Sequence, residues 1–459
     1  MADRMLVSFA GEGSGAGDLT WGQQVVWRGI ELSGGEPNIL TGVTKLLDGT
    51  TEQDEADLLS YLMSRHQSLR TRLRRDDEGH VRQVLVDSGE TYLEIADAPD
   101  DADPLVFARA VETEFEHAPH DCVKDWPVWM TLVRHRGVPA FRVMGMCHLT
   151  SDGFGVLTLI NDMGGLDPAS GVARQLAPVS FKEPVIGMQP LEEAQWQNGP
   201  AGLRRSGISE RYWERLLRSI PPRRFPDSRD PSEPRGGFAI YDSPATYLAI
   251  QPIAARLQTD TSPVLLAATA VAMTRIGGTN PVVLRVYVSN RFRSRLADTV
   301  SPVAQTCPCV IDLAGVTFDE AVKRAMAASI AAFKHAYYKP ARIREVLAAV
   351  SEERGEAIDL DCVYNDRRLI APREADASLP EAADVRAALE HSTLRWENQS
   401  DTPADSFHIH IRDNAEPTVN VLVAADSHYV ASADVEAFLR ELEAVTVQAA
   451  FEPDMRTGV

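Results

Sequence analysis

The run Cys147-His148-Leu149-Thr150-Ser151-Asp152-Gly153 is where this chain's residue types and spacing come nearest to chemistry. A neutral imidazole is the side chain best matched to accepting a proton near pH 7. His148 follows Pro139 to Met146, a mixed apolar stretch that reads as a buried or half-buried strand. Gly153 and Gly155 then break that stretch into a turn, so His148 is expected at a strand end, rigidly held and still reachable. Asp152, four residues on, has two open roles: turning back to the imidazole, or pairing with an arginine and locking the turn that aims it. The spacing needs its context, because the chain has eleven histidines and His117 with Asp121 repeats it. There Cys122 follows in place of a glycine, and Glu114-Phe115-Glu116 and Asp125 mark the end of an acidic surface helix.

Several elements must position this motif. Residues 38–49 read as a strand and Thr51 to Arg65 as a helix with Leu58, Leu59, Leu62 and Met63 on one face. Strand-like Val81 to Val86 and Tyr92 to Ile95 precede an amphipathic helix over Leu105 to His117. Val128 to Arg134 and Ala140 to Cys147 flank Gly137 as a hairpin whose second strand delivers His148. From Gly164 to Gly202 the text is loop-like and rich in Gly and Pro, and residues 176–205 are the linker between a lobe at 1–175 and a lobe at 206–459. The second lobe opens on the helical Glu210 to Leu217, ended by Pro221-Pro222. An apolar helix over Val264 to Arg275 and a β-branched strand over Val282 to Val288 follow, then an arginine-rich turn and a strand ending at Leu313. Thr317 and Glu320 open a long helix to Tyr338, a further helix covers Ala341 to Val350, and Asp361 to Asn365 form a strand. Residues 368–404 are an excursion, before strands Phe407 to Arg412 and Val419 to Ala424 and a last helix, Ala433 to Ala450. The two halves therefore read as similar α/β (α+β) sandwiches with mixed sheets.

Composition narrows the function. A chain of 459 residues exceeds one ordinary core, and its 44% hydrophobic share can fill two. The net charge of -20 argues against nucleic acid, whose phosphates need clustered Lys and Arg. The local basic clusters, at Arg72 to Arg75, Arg223-Arg224, Arg291 to Arg295 and Lys334 to Arg344, read as solvated surface or structural ion pairs, with an anionic docking patch as the other reading. Five cysteines without dense spacing fit a reducing cytoplasm. Cys307-Pro308-Cys309 is too tight for a zinc knuckle and His408-x-His410 lacks a third ligand, so no metal is expected. No stretch is apolar for long enough to span a bilayer, and no membrane association is expected.

Six short motifs in one order carry a family resemblance. Leu19-Thr20-Trp21-Gly22-Gln23 with Trp27, Arg65-His66-Gln67-Ser68-Leu69-Arg70-Thr71 with Gln83 after it, Cys147 to Gly153, Tyr212-Trp213, Ser289-Asn290-Arg291 and Val363-Tyr364-Asn365 together resemble the condensation domains of nonribosomal peptide synthesis. Those belong to the chloramphenicol acetyltransferase-like superfamily, and the likeness runs over nearly the whole chain. It implies two lobes in a V-shaped pseudodimer, with His148 midway along a central tunnel. One mouth would receive an acyl or aminoacyl thioester on the phosphopantetheine arm of a carrier protein, the other an amine or hydroxyl acceptor. A latch within residues 368–404 would cross to the first lobe, and a loop near Arg291 to Pro308 would reach under the active site.

The resemblance also implies roles. His148 is the base or the group that fixes the nucleophile, Gly153 allows close backbone approach and lends its amide to an oxyanion, and Asp152 orders the loop through Arg65 or Arg291. The family's first histidine is replaced by Cys147, which is expected to be packing, since adjacent strand residues point to opposite faces. No permanent cofactor is implied. The expected protein is a cytoplasmic, monomeric, freestanding acyltransferase of antibiotic or other secondary metabolism, acting on separate acyl or peptidyl carrier proteins and forming an amide or an ester. Two other readings are a degenerate module that binds carriers as a scaffold, favoured by Cys147, and an epimerase of the same superfamily. The epimerases' Glu-Gly-His-rich segment has only Glu352-Glu353-Arg354-Gly355 to stand for it.

Overall fold

The computed structural model of the chain describes residues 3–36, 38–118, 120–164, 187–230, 233–368, 378–400, 406–412, 414 and 417–459. They form two compact units. The first comprises Met1–Ser206, Ser289–Gln305 and Tyr338–Pro340, and the second Gly207–Val288, Thr306–Tyr337 and Ala341–Val459.

In the first unit the elements run β1 (Asp3–Ala10), β2 (Gly15–Asp18), α1 (Trp21–Leu32), β3 (Ile39–Lys45), α2 (Glu52–Arg65), β4 (Thr71–Arg75), β5 (Val81–Leu85), β6 (Ser88–Ala98), α3 (Pro104–His117), β7 (Val128–His135), β8 (Val138–Cys147), α4 (Gly153–Asp162) and α5 (Pro190–Asn198). Helix α6 (Pro200–Leu217) runs from this unit into the second. A mixed five-stranded sheet has the order β1-β6-β7-β8-β3, and a three-stranded sheet the order β2-β5-β4. In the larger sheet only β6 and β7 are parallel among neighbours.

The sheet needs apolar cover on both faces, and its side chains alternate to match. Thr51 and Asp54 close a reciprocal cap that starts α2, whose Leu58, Leu59, Leu62 and Met63 are buried with Met130, Leu132, Met144 and Met146 of the sheet. Each such side chain contributes about 1.5–3 kcal/mol by leaving water. On the opposite face α3 packs over Val133, Phe141 and Val143. Among the apolar contacts of α2 lies a buried ion pair: Glu55, 1% exposed, receives Arg142 of β8 at 2.6 and 2.7 Å. It fixes the helix to the strand that ends one residue before His148.

The second unit continues with β9 (Gly236–Ser243), α7 (Pro244–Leu257), α8 (Thr261–Gly277), β10 (Val282–Val288), β11 (Gln305–Ile311), α9 (Phe318–His335), α10 (Pro340–Arg354), β12 (Cys362–Asp366), α11 (Ala382–Ala388), β13 (Thr393–Ser400), β14 (Phe407–Arg412), β15 (Val419–Asp426) and α12 (Ser432–Phe451). Its seven-stranded sheet has the order β11-β10-β12-β14-β15-β9-β13, with the apolar α8 packed against α7, α9 and α12. Thr317 caps α9 through the Glu320 N–H.

Three expectations change. The stretch read as loop and linker carries α5 and the start of α6, while residues 165–186 lie outside the described residues. α5 is stabilised by a polar side chain that composition hid: Gln197 accepts the Trp21 N–H at 2.7 Å and donates to Glu193. Of the excursion read over residues 368–404, residues 378–400 hold α11 and β13, and β13 pairs antiparallel with β9 in the second unit's own sheet. The remainder at 369–377 and 401–405 lies outside the described residues. Finally, Gly153 and Gly155 do not end structure; they open α4, which Asp152 caps.

Glu55→Ala leaves the Arg142 guanidinium buried without its counter-charge, and should cost about 3–5 kcal/mol of stability, read as a lowered urea midpoint of the first unit. Replacing both residues by apolar ones should restore most of the loss. A single variant within about 1 kcal/mol of the parent would contradict a buried, water-excluded pair.

Candidate functional site

Strand β8 is clamped on both sides, by β7 and by β3, up to Cys147, where the pair Ile39 and Cys147 closes the ladder. The Cys147 N–H donates to the Pro127 carbonyl and the His148 N–H to the Asn38 carbonyl, each at 2.9 Å. Thr150 turns the chain back, its N–H and hydroxyl both donating to the Cys147 carbonyl at 2.9 and 2.7 Å. His148 thus leaves a strand end with a fixed backbone and a half-buried side chain.

Asp152 is the hub that joins this turn to the rest of the unit. Its carboxylate is 7% exposed and receives Arg291 Nη1 at 2.8 Å on Oδ1 and 2.9 Å on Oδ2. Oδ1 also caps α4 through the Gly155 N–H at 3.0 Å, and Oδ2 accepts the N–H groups of Val303 and Ala304, both at 3.0 Å. Arg291 passes its other nitrogen to the carbonyls of Thr299 and Ser301, at 2.9 and 3.2 Å. One buried carboxylate thereby holds a turn, a helix start and the loop 289–305. Of the two open roles for Asp152, pairing with an arginine is the one occupied.

The same loop is held from other directions. A Cβ on Gly22 of α1 would sit 1.5 Å from the Pro302 carbonyl oxygen, so only glycine fits beneath the loop there. Asn290, at φ 59°, donates to the Val303 carbonyl, and Thr299 donates to the Met188 carbonyl. The close approach expected of Gly153 belongs instead to Gly155, where a Cβ would lie 2.2 Å from Ser151 Oγ. Gly153 is exposed and a Cβ there would meet nothing within 4 Å. It is the first residue of α4, so its N–H has no intrahelical acceptor.

Arg65 serves the far end of α4 and not Asp152. Its Nε reaches Asp162 Oδ2 at 2.8 Å, and the buried His66 Nε2 meets the same oxygen at 2.7 Å. Burial pulls the His66 imidazole below its ordinary range, against the opposing pull of Asp162. Burial raises Asp162, but hydrogen bonds from His66 and Arg65 outweigh it and hold the carboxyl low. Sequence reasoning missed His66 and Asp162 as partners; the Asn161-Asp162 end of an apolar run was the available signal.

Cys147 is fully buried, and its Sγ lies 3.1 Å from that of Cys122. The hydrogen bond with Cys122 and burial push its thiol well up, out of the range of a nucleophile at neutral pH. The basic clusters are largely engaged: Arg72 stacks 3.5 Å over Trp126, while Arg223 pairs with Asp227, Arg295 with Glu192, and Arg342 with Glu345 and Glu210. His117 is exposed and bonds the Thr113 carbonyl. In the second unit, Tyr212 and Trp213 are buried, Tyr212 stacking on His335 at 4.1 Å. A cavity of about 510 Å³ in that unit, lined by Phe225, Asp230, Ile276 and Tyr429 among others, offers neither imidazole nor thiol.

With this geometry in place, comparison gives the class. The Condensation domain family matches residues 56–402, and the chain belongs to that family, whose members act in nonribosomal peptide and other secondary-metabolite biosynthesis. It is similar to the isonitrile lipopeptide synthase of Streptomyces coeruleorubidus, 23% identical over 456 residues, which cover 97% of this chain and 30% of that protein. The chain thus spans less than a third of the length of that relative. Among solved structures it is similar to the SgcC5 protein from Streptomyces globisporus, at a TM-score of 0.70, 19% identity, and coverage of 96% of this chain and 100% of that one. A second is the complex of the X-domain and OxyB from teicoplanin biosynthesis, at 0.64, 18%, 96% and 94%. These likenesses show the two-lobe, chloramphenicol acetyltransferase-like fold. Among the described residues no helix is long and apolar enough to cross a membrane.

The His66–Asp162–Arg65 cluster sets a pH dependence. Because His66 titrates below 6.5 when folded, the unfolded chain binds a proton there that the native one refuses, so stability is full above 6.5 and falls as pH drops below it. The Asp162 contribution is present above 3.8 and is lost as pH falls through its lower folded value. His66→Gln should flatten the stability profile between about pH 6.5 and 5 by up to about 1.4 kcal/mol per pH unit. An unchanged slope in that variant would contradict a neutral, buried His66.

Proposed function

We propose that this chain transfers an acyl or aminoacyl group from a carrier-protein phosphopantetheine thioester to an amine or hydroxyl, with His148 as the proton-handling group. The observation that carries this reading is the half-buried imidazole at a strand end whose adjoining turn is locked by the buried Asp152–Arg291 pair. A thioester is already activated, so the work left is alignment, acceptance of the nucleophile's proton and stabilisation of the tetrahedral oxyanion. His148 takes the proton, or holds the attacking group by hydrogen bonding as the bond to carbon forms. The Gly153 N–H, at the positive end of α4 and beside open space, is the donor offered to the oxyanion. Asp152 and Arg291 are positioning residues, since the Asp152 oxygens are engaged by Arg291 and by backbone amides. Cys147 supports the site by packing. Phosphopantetheine arrives with the carrier as substrate.

The carrier proteins and the acceptor are proposed from the family, and a freestanding enzyme acting on separate carriers in the cytoplasm is the arrangement we favour. One observation favours a second reading, a carrier-binding scaffold: Cys147 stands where condensation domains place their first histidine.

Incubation with an acyl-loaded carrier protein and a panel of amines and alcohols, with product followed by mass spectrometry, separates the readings. Transfer should occur and His148→Ala should slow it by about 100- to 10,000-fold with carrier binding unchanged. Carrier binding without product in the parent protein would favour the scaffold, and product undiminished in the variant would remove His148 from the mechanism.

A further inference from the structure

We propose that Cys122 and Cys147 form a reversible dithiol–disulfide pair, a covalent modification site set against the strand end that carries His148. Both belong to the first unit, and their sulfurs lie 3.1 Å apart. A disulfide needs about 2.05 Å, so closure asks for a shift of roughly 1 Å. A small cavity of about 10 Å³ lies against both cysteines, bordered also by Gln23, Ser68, Thr71 and Thr150, and gives the sulfurs room for it.

The two thiols are unequal. Cys147 is 0% exposed and anchored through its backbone, its N–H on Pro127 and its carbonyl holding both donors of Thr150. Cys122 is half-buried in the turn between α3 and β7, tethered through its carbonyl to the Leu73 N–H at 3.2 Å. It is therefore both the moving partner and the point of entry. The shared hydrogen bond supports the same order, lowering the Cys122 thiol and raising that of Cys147. The oxidant class is a low-molecular-weight disulfide. The Cys122 thiolate attacks one of its sulfurs, forming a mixed disulfide and expelling a thiolate that takes up a proton. The mixed disulfide removes the Cys122 hydrogen bond and charge that hold the Cys147 thiol up, and Cys147 then attacks Cys122 Sγ, its proton passing to the second small thiolate as it leaves. Two protein thiols are oxidised to one disulfide, and one small disulfide is reduced to two thiols. The resulting bond ties the 121–125 turn to the last residue of β8, directly before the proposed base. Cys307, Cys309 and Cys362 are buried in strands of the second unit, with burial pushing their thiols up, Cys309 to about 12.

The test is peptide mapping of the native full chain after equilibration with oxidised and reduced glutathione, independent of any transfer activity. Wild type should yield the peptide pair joined through Cys122 and Cys147, lighter by two hydrogens, and dithiothreitol should release it. Cys147→Ser should stop at the glutathione mixed disulfide of Cys122, and Cys122→Ser should leave Cys147 free. Two free thiols in oxidised wild type, or a Cys122–glutathione adduct persisting there as it does in Cys147→Ser, would overturn the pair.

Discussion

A single buried carboxylate determines how the first unit presents its histidine. Asp152 is taken out of water at a cost of several kcal/mol, and that cost is offset only because its oxygens meet a guanidinium and three peptide N–H groups. Each donor belongs to a different demand on the backbone: Gly155 to a helix start, Val303 and Ala304 to a loop distant in sequence, Arg291 to the loop's other limb. Satisfying one carboxylate therefore fixes three pieces of chain at once, and the turn at 148–151 is held between that hub and the last pairs of β8.

Helix α4 is consequently pinned at both ends by acidic residues with opposite duties. Asp152 opens it and draws in Arg291; Asp162 closes it and draws in Arg65 and His66 from the end of α2. The Glu55–Arg142 pair adds a third ionic tie, between α2 and the strand that bears the site. Ion pairs in water contribute little, but these three are largely or wholly withdrawn from it, and each joins elements that apolar packing alone would let slide. Gly22 and Gly155 supply the complementary permission, close approach of backbone where any side chain would collide.

Much of this was legible in the chain. The amphipathic stripe of α2, the hairpin of β7 and β8, the β-branched β10 and the apolar α8 follow from periodicity, and the ordered motifs pointed to the family that residues 56–402 match. His148 at a strand end was readable because Pro139 to Met146 runs straight into it. What failed had local causes. Gly153 and Gly155 resemble a turn by composition, yet Asp152 ahead of the apolar Val156-Leu157 run is a helix cap. The choice between Arg65 and Arg291 rests on a contact spanning 139 residues, which no local pattern encodes. α5 looked like linker because its buried face is partly polar, Glu193 and Gln197 bonding each other. β13 looked like an excursion because an edge strand with alternating charge needs only one neighbour.

In the proposed mechanism Asp152 and Arg291 act on His148 as one unit, by fixing the turn, and take no separate part in proton transfer. The most direct measurement is a double-mutant cycle on the single-turnover transfer rate with Asp152→Ala, Arg291→Ala and both. The double variant is expected to be no slower than the slower single variant, because the second deletion removes nothing the first has left intact. Losses that multiply across the cycle would contradict a shared role, assigning each residue its own part in the reaction.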